Sequence, residues 1–284
     1  MKRLLHRLLP RHIRNSIRVR REKTDLGSLD KIPCDTAALS RSVSEVELQE
    51  LFLSEKIAYE WARVEAEVSQ LAITDKASGV NPGDRRAIYY LIRDLRPKSI
   101  LEIGTHIGAS TVHIIAALQN RVESQSPPYR LTTVDIKDVN DTQSRPWLRV
   151  GSTYSPRDMI ARMGAADRVA FVSSSSLEFL SSSKERYEFI FLDGDHSART
   201  VYQEVPAALR ILAPGGVILL HDYFPNLQTL WSNRALIPGP YIATQRLRSE
   251  GAGMRAVPLG ALPWRTKLSS RVTSLALLVG EEIG

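Results

Sequence analysis

From Ser99 onward, short apolar segments alternate with amphipathic ones, and this alternation constrains the fold more than any other feature of the sequence. Strands are predicted at 99–103, 131–136, 169–172, 189–192, 217–220, 255–259 and 273–279. Helices are predicted at 108–118, 156–163, 178–180, 201–212 and 242–249. Short apolar strands that alternate with helices are typical of a mostly parallel sheet buried on both faces. The sequence therefore predicts an α/β fold.

Two segments precede this core, and we divide the chain into 1–43, a basic amphipathic tail and linker, 44–97, a helical segment, and 98–284, the core. A helix is expected over 44–72, where Ser44 and Glu47 form a capping box, and a second helix over 84–95. Both would form an N-terminal helical lead to the sheet.

The net charge of +7 lies in the first 23 residues, which hold nine Lys or Arg and the single acid Glu22. The rest of the chain is nearly neutral, so its composition gives no reason to expect a nucleic-acid partner. On a helix over 3–21, six arginines share one face and Leu5, Leu8, Leu9 and Ile13 the other. Such a helix can lie on an anionic membrane surface, although Pro10 would kink it.

The alternatives for the tail are a solvated arm, which could contact a neighbouring subunit of a homo-oligomer, and a mitochondrial presequence. Residues 24–43 show no period and are predicted to be a linker. The single cysteine, Cys34, excludes an intramolecular disulfide and a zinc site built from cysteines. With no secretory signal and no spanning segment in sight, we expect a cytoplasmic protein, or one peripheral at the membrane surface.

Polar residues follow the first two predicted strands, where a sheet of this kind binds its ligands. The first is followed by Glu102-Ile-Gly104-Thr-His-Ile-Gly108, whose glycines permit a tight turn and close approach of a ligand. Asp135 ends the second strand, and its carboxylate can accept hydrogen bonds from both ribose hydroxyls. The spacing differs from the G-x-G-x-x-G of dinucleotide enzymes.

Four motifs in order, LEIGTHIGAS, TVDI, YEFIFLDGDHS and APGGVILLHDYFP, resemble the class I S-adenosylmethionine-dependent methyltransferases over roughly residues 80–280. The likeness is closest to the branch that methylates oxygen in small molecules. It implies a Rossmann-like, seven-stranded, mostly parallel sheet with helices on both faces and an antiparallel last strand. It also implies S-adenosyl-L-methionine as cofactor.

Carried over by position, this resemblance assigns cofactor binding to several residues. Glu102, Gly104 and Gly108 would line the amino-acid end of the cofactor, Asp135 would hold the ribose, and Ser174 and Ser175 would lie near the adenine. Thr105, Ser110 and Asp193 complete the set. Many relatives have an acid at the position of Ser175.

The predicted catalytic residues follow the fourth and fifth strands: Asp193 and His196 after one, His221 and Asp222 after the other. If these strands are neighbours, their ends lie about 4.8 Å apart, so the side chains should converge. Two routes could activate a hydroxyl: a histidine as general base, or a divalent cation held by Asp193 and Asp222. Mg²⁺ is bound at these positions in metal-dependent members of the family, where Asn stands in place of Tyr223.

The predicted function is therefore transfer of a methyl group from S-adenosylmethionine to a hydroxyl of a small molecule or sugar. The family's amino-methylating members carry an Asn/Asp-Pro-Pro-Tyr/Phe motif after the fourth strand, and Asp193-Gly194-Asp195-His196 differs from it. Two alternatives stay open. One is another enzyme on the same sheet, either a nicotinamide oxidoreductase or a relative of metal-dependent oxygenases. The other is a non-catalytic module that only binds the cofactor.

Overall fold

A computed structural model of the protein describes residues 9–40, 44–74, 79–120 and 128–281. Seven strands form one sheet in the order β3-β2-β1-β4-β5-β7-β6. The strands are β1 Ser99–Ile103, β2 Arg130–Asp135, β3 Val169–Ser173, β4 Tyr187–Leu192, β5 Leu212–Leu220, β6 Met254–Pro258 and β7 Ala276–Gly280. β1 to β5 pair in parallel, whereas β7 runs antiparallel to both β5 and β6. The predicted fold class is confirmed.

Ten α-helices lie in the described part of the chain. They are α1 Arg11–Gly27, α2 Glu45–Phe52, α3 Glu55–Ser69, α4 Pro82–Leu95, α5 Ala109–Gln119, α6 Pro146–Arg149, α7 Pro156–Arg162, α8 Ser176–Ser182, α9 Ala198–Arg210 and α10 Gly239–Ser249. None of the helices within the described ranges combines the length and apolarity that crossing a bilayer requires.

The sheet is buried on both faces because alternate side chains of each inner strand point to opposite sides. In β4, Phe189 and Phe191 join a hydrophobic cluster with α4 and α5, whereas Ile190 and Leu192 join a second cluster with α9 and α10. Helices α2 and α3 pack into the first cluster and α1 into the second. The domain division at residues 43 and 97 remains a prediction.

Several predicted elements differ from the structure. The prediction of a single helix over 44–72 is wrong, because α2 ends before Leu53 and α3 begins after Ser54. The Ser54 hydroxyl caps α3 by accepting a hydrogen bond from the Ile57 amide. The capping box of Ser44 and Glu47 is confirmed. β5 begins five residues before its predicted start at Val217, because Leu212 pairs with Tyr187 of β4 ahead of a register shift.

The N-terminal helix also differs from its prediction. The described helix begins after Pro10 and runs through Gly27, into the segment predicted as a linker. Residues 3–8 of the predicted helix over 3–21 lie outside the described residues. Instead of extending into solvent as an arm, α1 lies against α9 and α10, with Leu26 buried between them.

Candidate active site

A cavity of roughly 1240 Å³ opens at the carboxyl ends of the central strands. Its floor comes from the segments that follow β1 to β5: Gly104 and His106, Asp135 and Ile136, Ser174 to Leu177, Asp193 to His196, and His221 and Asp222. The opposite wall comes from residues 79–82, Arg85, Ile237 and 266–268. The cavity therefore lies where a parallel sheet is expected to bind its ligand.

Gly104 allows the loop after β1 to pack directly on the loop after β4. Its φ of +102° lies in the region that favours glycine, and a Cβ there would be 2.2 Å from the carbonyl oxygen of Asp193. Gly108 has a φ of +74° and faces Pro156, away from the cavity lining. The first glycine thus fixes the position of Asp193, and the second closes the turn into α5.

Glu102 lies beneath this loop and is fully buried. Its Oε2 accepts hydrogen bonds from the hydroxyls of Thr111, at 2.5 Å, and Thr133, at 2.6 Å. Burial raises the pKa of Glu102 to about 7, although these hydroxyls oppose the shift. Thr105 and Ser110 are buried beside it. These three residues and Gly108 do not contribute to the cavity lining, so their cofactor-binding roles remain predictions.

Asp135 presents its carboxylate to the cavity. One oxygen accepts from the His106 amide at 2.9 Å and the other from the Lys137 amide at 3.1 Å, which orients the group. Ile136 follows it with 75% of its surface exposed, an unusual environment for an apolar side chain. Ile136 was not among the predicted site residues, and its signal in the sequence is its place directly after the acid that ends the strand.

Ser174 and Ser175 form the end of the cavity near α8. The Ser175 hydroxyl oxygen caps α8 by accepting from the Glu178 amide, and the Ser174 hydroxyl lies 3.2 Å from the Glu178 carboxylate. The Asp135 carboxylate would fit the ribose of an adenosine. The apolar side chain of Ile136 and the hydroxyls of Ser174 and Ser175 would fit its flat base. The residues present therefore fit the adenosyl part of S-adenosylmethionine.

The four predicted catalytic residues meet at the other end of the cavity. Asp193 Oδ1 lies 2.6 Å from His221 Nδ1 and 3.7 Å from His196 Nε2. His196 Nε2 also lies 3.3 Å from Asp222 Oδ2. The adjacent strands β4 and β5 produce this convergence, since Leu192 pairs with Leu220 just before the two acidic segments.

Asp84, at the start of α4, is a fifth member of this cluster and was not among the predicted site residues. Its carboxylate is fully buried, and Oδ2 lies 3.3 Å from His221 Nε2 and 2.6 Å from the Asn81 side-chain amide. The only signal in the sequence was the helix start after Asn81, which gives no reason to pair Asp84 with a strand end far along the chain.

The neighbouring carboxylates determine the charge of His221. Burial alone would lower its pKa, but Asp193 and Asp222, with help from Asp84, raise the pKa of His221 well above 6.5. At neutral pH this imidazole is therefore positively charged and balances the buried acids. His196 is the histidine of the cluster that stays accessible from the cavity, with 29% of its side chain exposed.

Asp222 has a strained backbone for a residue with a side chain. Its φ is +54°, in the left-handed region, and its carboxylate also lies 3.4 Å from the Ser274 hydroxyl. Such conformations cost about 1–3 kcal/mol and are concentrated at functional sites. In this conformation the Asp222 carboxylate lies against His196, with Oδ2 3.3 Å from Nε2.

The cluster also offers ligand atoms for a cation. One atom each from Asp193, His196 and His221 lies within 4.8 Å of the others. A set with two imidazoles fits a divalent transition metal better than Mg²⁺, which prefers oxygen ligands. Tyr223, at the position of the family's Asn, is buried and packs on Tyr241.

Comparisons with known proteins agree with this geometry. A family model described as a methyltransferase domain matches residues 101–223. Cofactor-bound Rv0187 from MTB is 19% identical, with a TM-score of 0.50 over 78% of this chain and 90% of that chain. A Klebsiella pneumoniae protein provisionally assigned as an O-methyltransferase is 16% identical, with a TM-score of 0.51 over 94% of this chain and 99% of that one. At these identities the two structures show a shared fold.

Proposed function

We propose that this chain is a class I S-adenosylmethionine-dependent methyltransferase that methylates a hydroxyl oxygen of a small molecule or sugar. The match of residues 101–223 to a methyltransferase domain supports the proposal. The observation that carries the proposal is an accessible imidazole, His196, held between two carboxylates at one end of the cavity. Asp135 and the serines after β3 occupy the other end, where the adenosyl group would lie.

The proposed mechanism assigns separate tasks to the two histidines. When bound, the cofactor supplies an electrophilic methyl group on a sulfonium. His196 accepts the proton of the acceptor hydroxyl as the new carbon–oxygen bond forms and the carbon–sulfur bond breaks, leaving S-adenosylhomocysteine. Asp222 orients the His196 imidazole and stabilises its charged form. His221 neutralises the buried acids, so the carboxylates nearby do not repel the reacting oxygen.

Assistance by a divalent cation is the second candidate mechanism, favoured by the clustering of Asp193, His196 and His221. Asp193 and Asp222, the pair predicted from the sequence, would provide carboxylate ligands. A cation there would lower the pKa of the acceptor hydroxyl. Removing metal with EDTA and restoring Mg²⁺, Mn²⁺ or Zn²⁺ separately would distinguish this mechanism from general-base catalysis.

Transfer of a labelled methyl group tests the proposal. The full chain is incubated with S-adenosylmethionine labelled in the methyl group and with panels of phenols, sugars, carboxylic acids and amines. We expect a labelled product that withstands alkali, as a methyl ether does, and no such product from His196→Ala. Label released by alkali as methanol would indicate a methyl ester, and label on the amines alone would contradict oxygen as the acceptor.

Two further predictions concern partners. α1 exposes Ile13 and Ile17, by 37% and 43%, on the side opposite Leu26, among basic residues that include Arg20 and Arg21. We propose that this face contacts anionic membranes; Ile13→Ser with Ile17→Ser should abolish sedimentation with phosphatidylserine vesicles. Failure of the parent protein to sediment would contradict this.

A homo-oligomer also remains a prediction, which light scattering would test.

A further inference from the structure

Helix α1 is attached to the segments that line the cavity. Its inner face carries Asn15, Val19, Glu22 and Leu26, and it packs on α9 and α10. The Asn15 side chain donates to the carbonyl of Arg234 at 3.1 Å, and Arg18 donates to the carbonyl of Leu236 at 2.7 Å. Ile237, the next residue, lines the cavity. The basic tail is thus attached beside the candidate active site.

Glu22 makes the contact nearest to the catalytic residues. Its Oε2 accepts a hydrogen bond from the Ala198 backbone amide at 2.7 Å. Ala198 is the first residue of α9, and its amide is one of the four that a helix leaves without an internal partner. A carboxylate is favoured at this end by the helix dipole. Glu22 is also the single acid among the first 23 residues.

The segment that ends at Ala198 carries His196 and is held from two other directions. Asp195 accepts from the Ser197 amide at 2.9 Å and from the Thr200 hydroxyl at 2.8 Å. Gly239, at the start of α10, lies so close that a Cβ there would be 2.0 Å from the His196 carbonyl oxygen. Glu22 therefore completes a clamp on a short segment whose residues line the cavity.

We propose that Glu22 is a positioning residue for His196 and for the cavity-lining residues Gly194 and Asp195. Through this one carboxylate, α1 helps to position residues of the candidate active site. The positioning of His196 for catalysis rests on the proposed function, whereas the effect on the order of the segment does not depend on it.

Hydrogen exchange of the full chain, measured by mass spectrometry on peptides covering 193–200, tests the clamp. Glu22→Ala should speed exchange in this segment by about tenfold, since local opening becomes easier. The dissociation constant of Glu22→Ala for S-adenosylmethionine should also rise, by about fivefold, which is the size expected for a lost helix cap. Glu22→Gln keeps an acceptor oxygen and should restore most of both. Asp25→Ala, which removes an exposed acid from the same helix, is the matched control and should leave both unchanged.

Unchanged exchange at 193–200 in Glu22→Ala would overturn the proposal, as would an equal change in Asp25→Ala or no recovery in Glu22→Gln. If Glu22→Ala does not fold, Glu22→Asp replaces it: this side chain is one methylene shorter, so exchange should be faster than in Glu22→Gln, and equal rates would overturn the clamp. If the parent protein does not bind S-adenosylmethionine, the proposed function fails while the exchange data still decide the role of Glu22.

Discussion

Asp193 Oδ1 and His221 Nδ1 lie 2.6 Å apart, and about a tenth or less of either side chain is exposed. The pair joins the ends of two adjacent parallel strands and brings a positive charge among three acids. The two histidines therefore have different roles. His221 keeps its proton and balances the charge of the acids, which leaves His196 as the candidate base.

Replacement of His221 should destabilise the protein strongly. His221→Ala leaves the buried carboxylate of Asp84 and its neighbours without a counter-charge, a change that typically costs about 3–5 kcal/mol. Unfolding in urea would measure the loss. His196→Ala is the matched control and should cost less than about 1 kcal/mol, because His196 is partly exposed. Equal losses in the two variants would contradict the assigned charge balance.

Stability should decrease as the pH rises above neutrality. The pKa of His221 is raised in the folded state above its unfolded value of about 6.5. Its contribution is therefore complete below pH 6.5 and is lost as the pH rises through the folded-state value. With EDTA present, the difference in unfolding free energy between the parent and His221→Gln should shrink over that range. A difference that is constant or grows with pH would contradict a charged His221.

Removal of the Asp135 carboxylate should weaken cofactor binding without unfolding the chain. Two hydrogen bonds from a ribose to this charged group would be lost in Asp135→Ala, each worth about 1.5–3 kcal/mol, so the dissociation constant for S-adenosylmethionine should rise at least tenfold. Asp138→Asn, which removes a nearby exposed charge, should have no effect. Unchanged affinity of Asp135→Ala in a titration would reject the placement of the ribose.

Neutralising Asp222 should lower turnover and spare cofactor affinity. Asn tolerates the left-handed backbone at this position, so Asp222→Asn keeps the local conformation while removing the charge beside His196. The lost interaction with a charged imidazole predicts a decrease in kcat of about tenfold or more. Steady-state rates with an acceptor found in the labelling screen would measure it, and full activity would remove Asp222 from the catalytic set.

The sheet could be predicted because its pattern is local. Apolar segments such as Phe189–Leu192 are short and alternate with amphipathic helices, which favours buried strands. The strands β1 to β5 end in or are followed by polar residues that line the cavity. Tyr187 and Glu188 extend β4 beyond its predicted start, because pairing with neighbouring strands rather than hydrophobicity sets the strand's end.

The contacts of Asp84 and Glu22 could not be predicted, because they join segments far apart in the chain through single polar atoms. The tail's sequence indicated an apolar face that includes Ile13, yet the structure leaves Ile13 exposed. The helix docks instead through the apolar residues Val19 and Leu26. Asn15, Arg18 and Glu22 add hydrogen bonds to backbone groups, which leave no signal in the sequence.

Calorimetric titration of the purified full chain with S-adenosylmethionine, and separately with NADH, tests whether the cavity binds the proposed cofactor. We predict saturable binding of S-adenosylmethionine at one site per chain and no heat from NADH. Repeating the titration with a divalent cation would show whether Asp193 and its neighbours take up a metal beside the cofactor. A folded protein that binds NADH, or that gives no heat with S-adenosylmethionine, would contradict the assignment of the cavity.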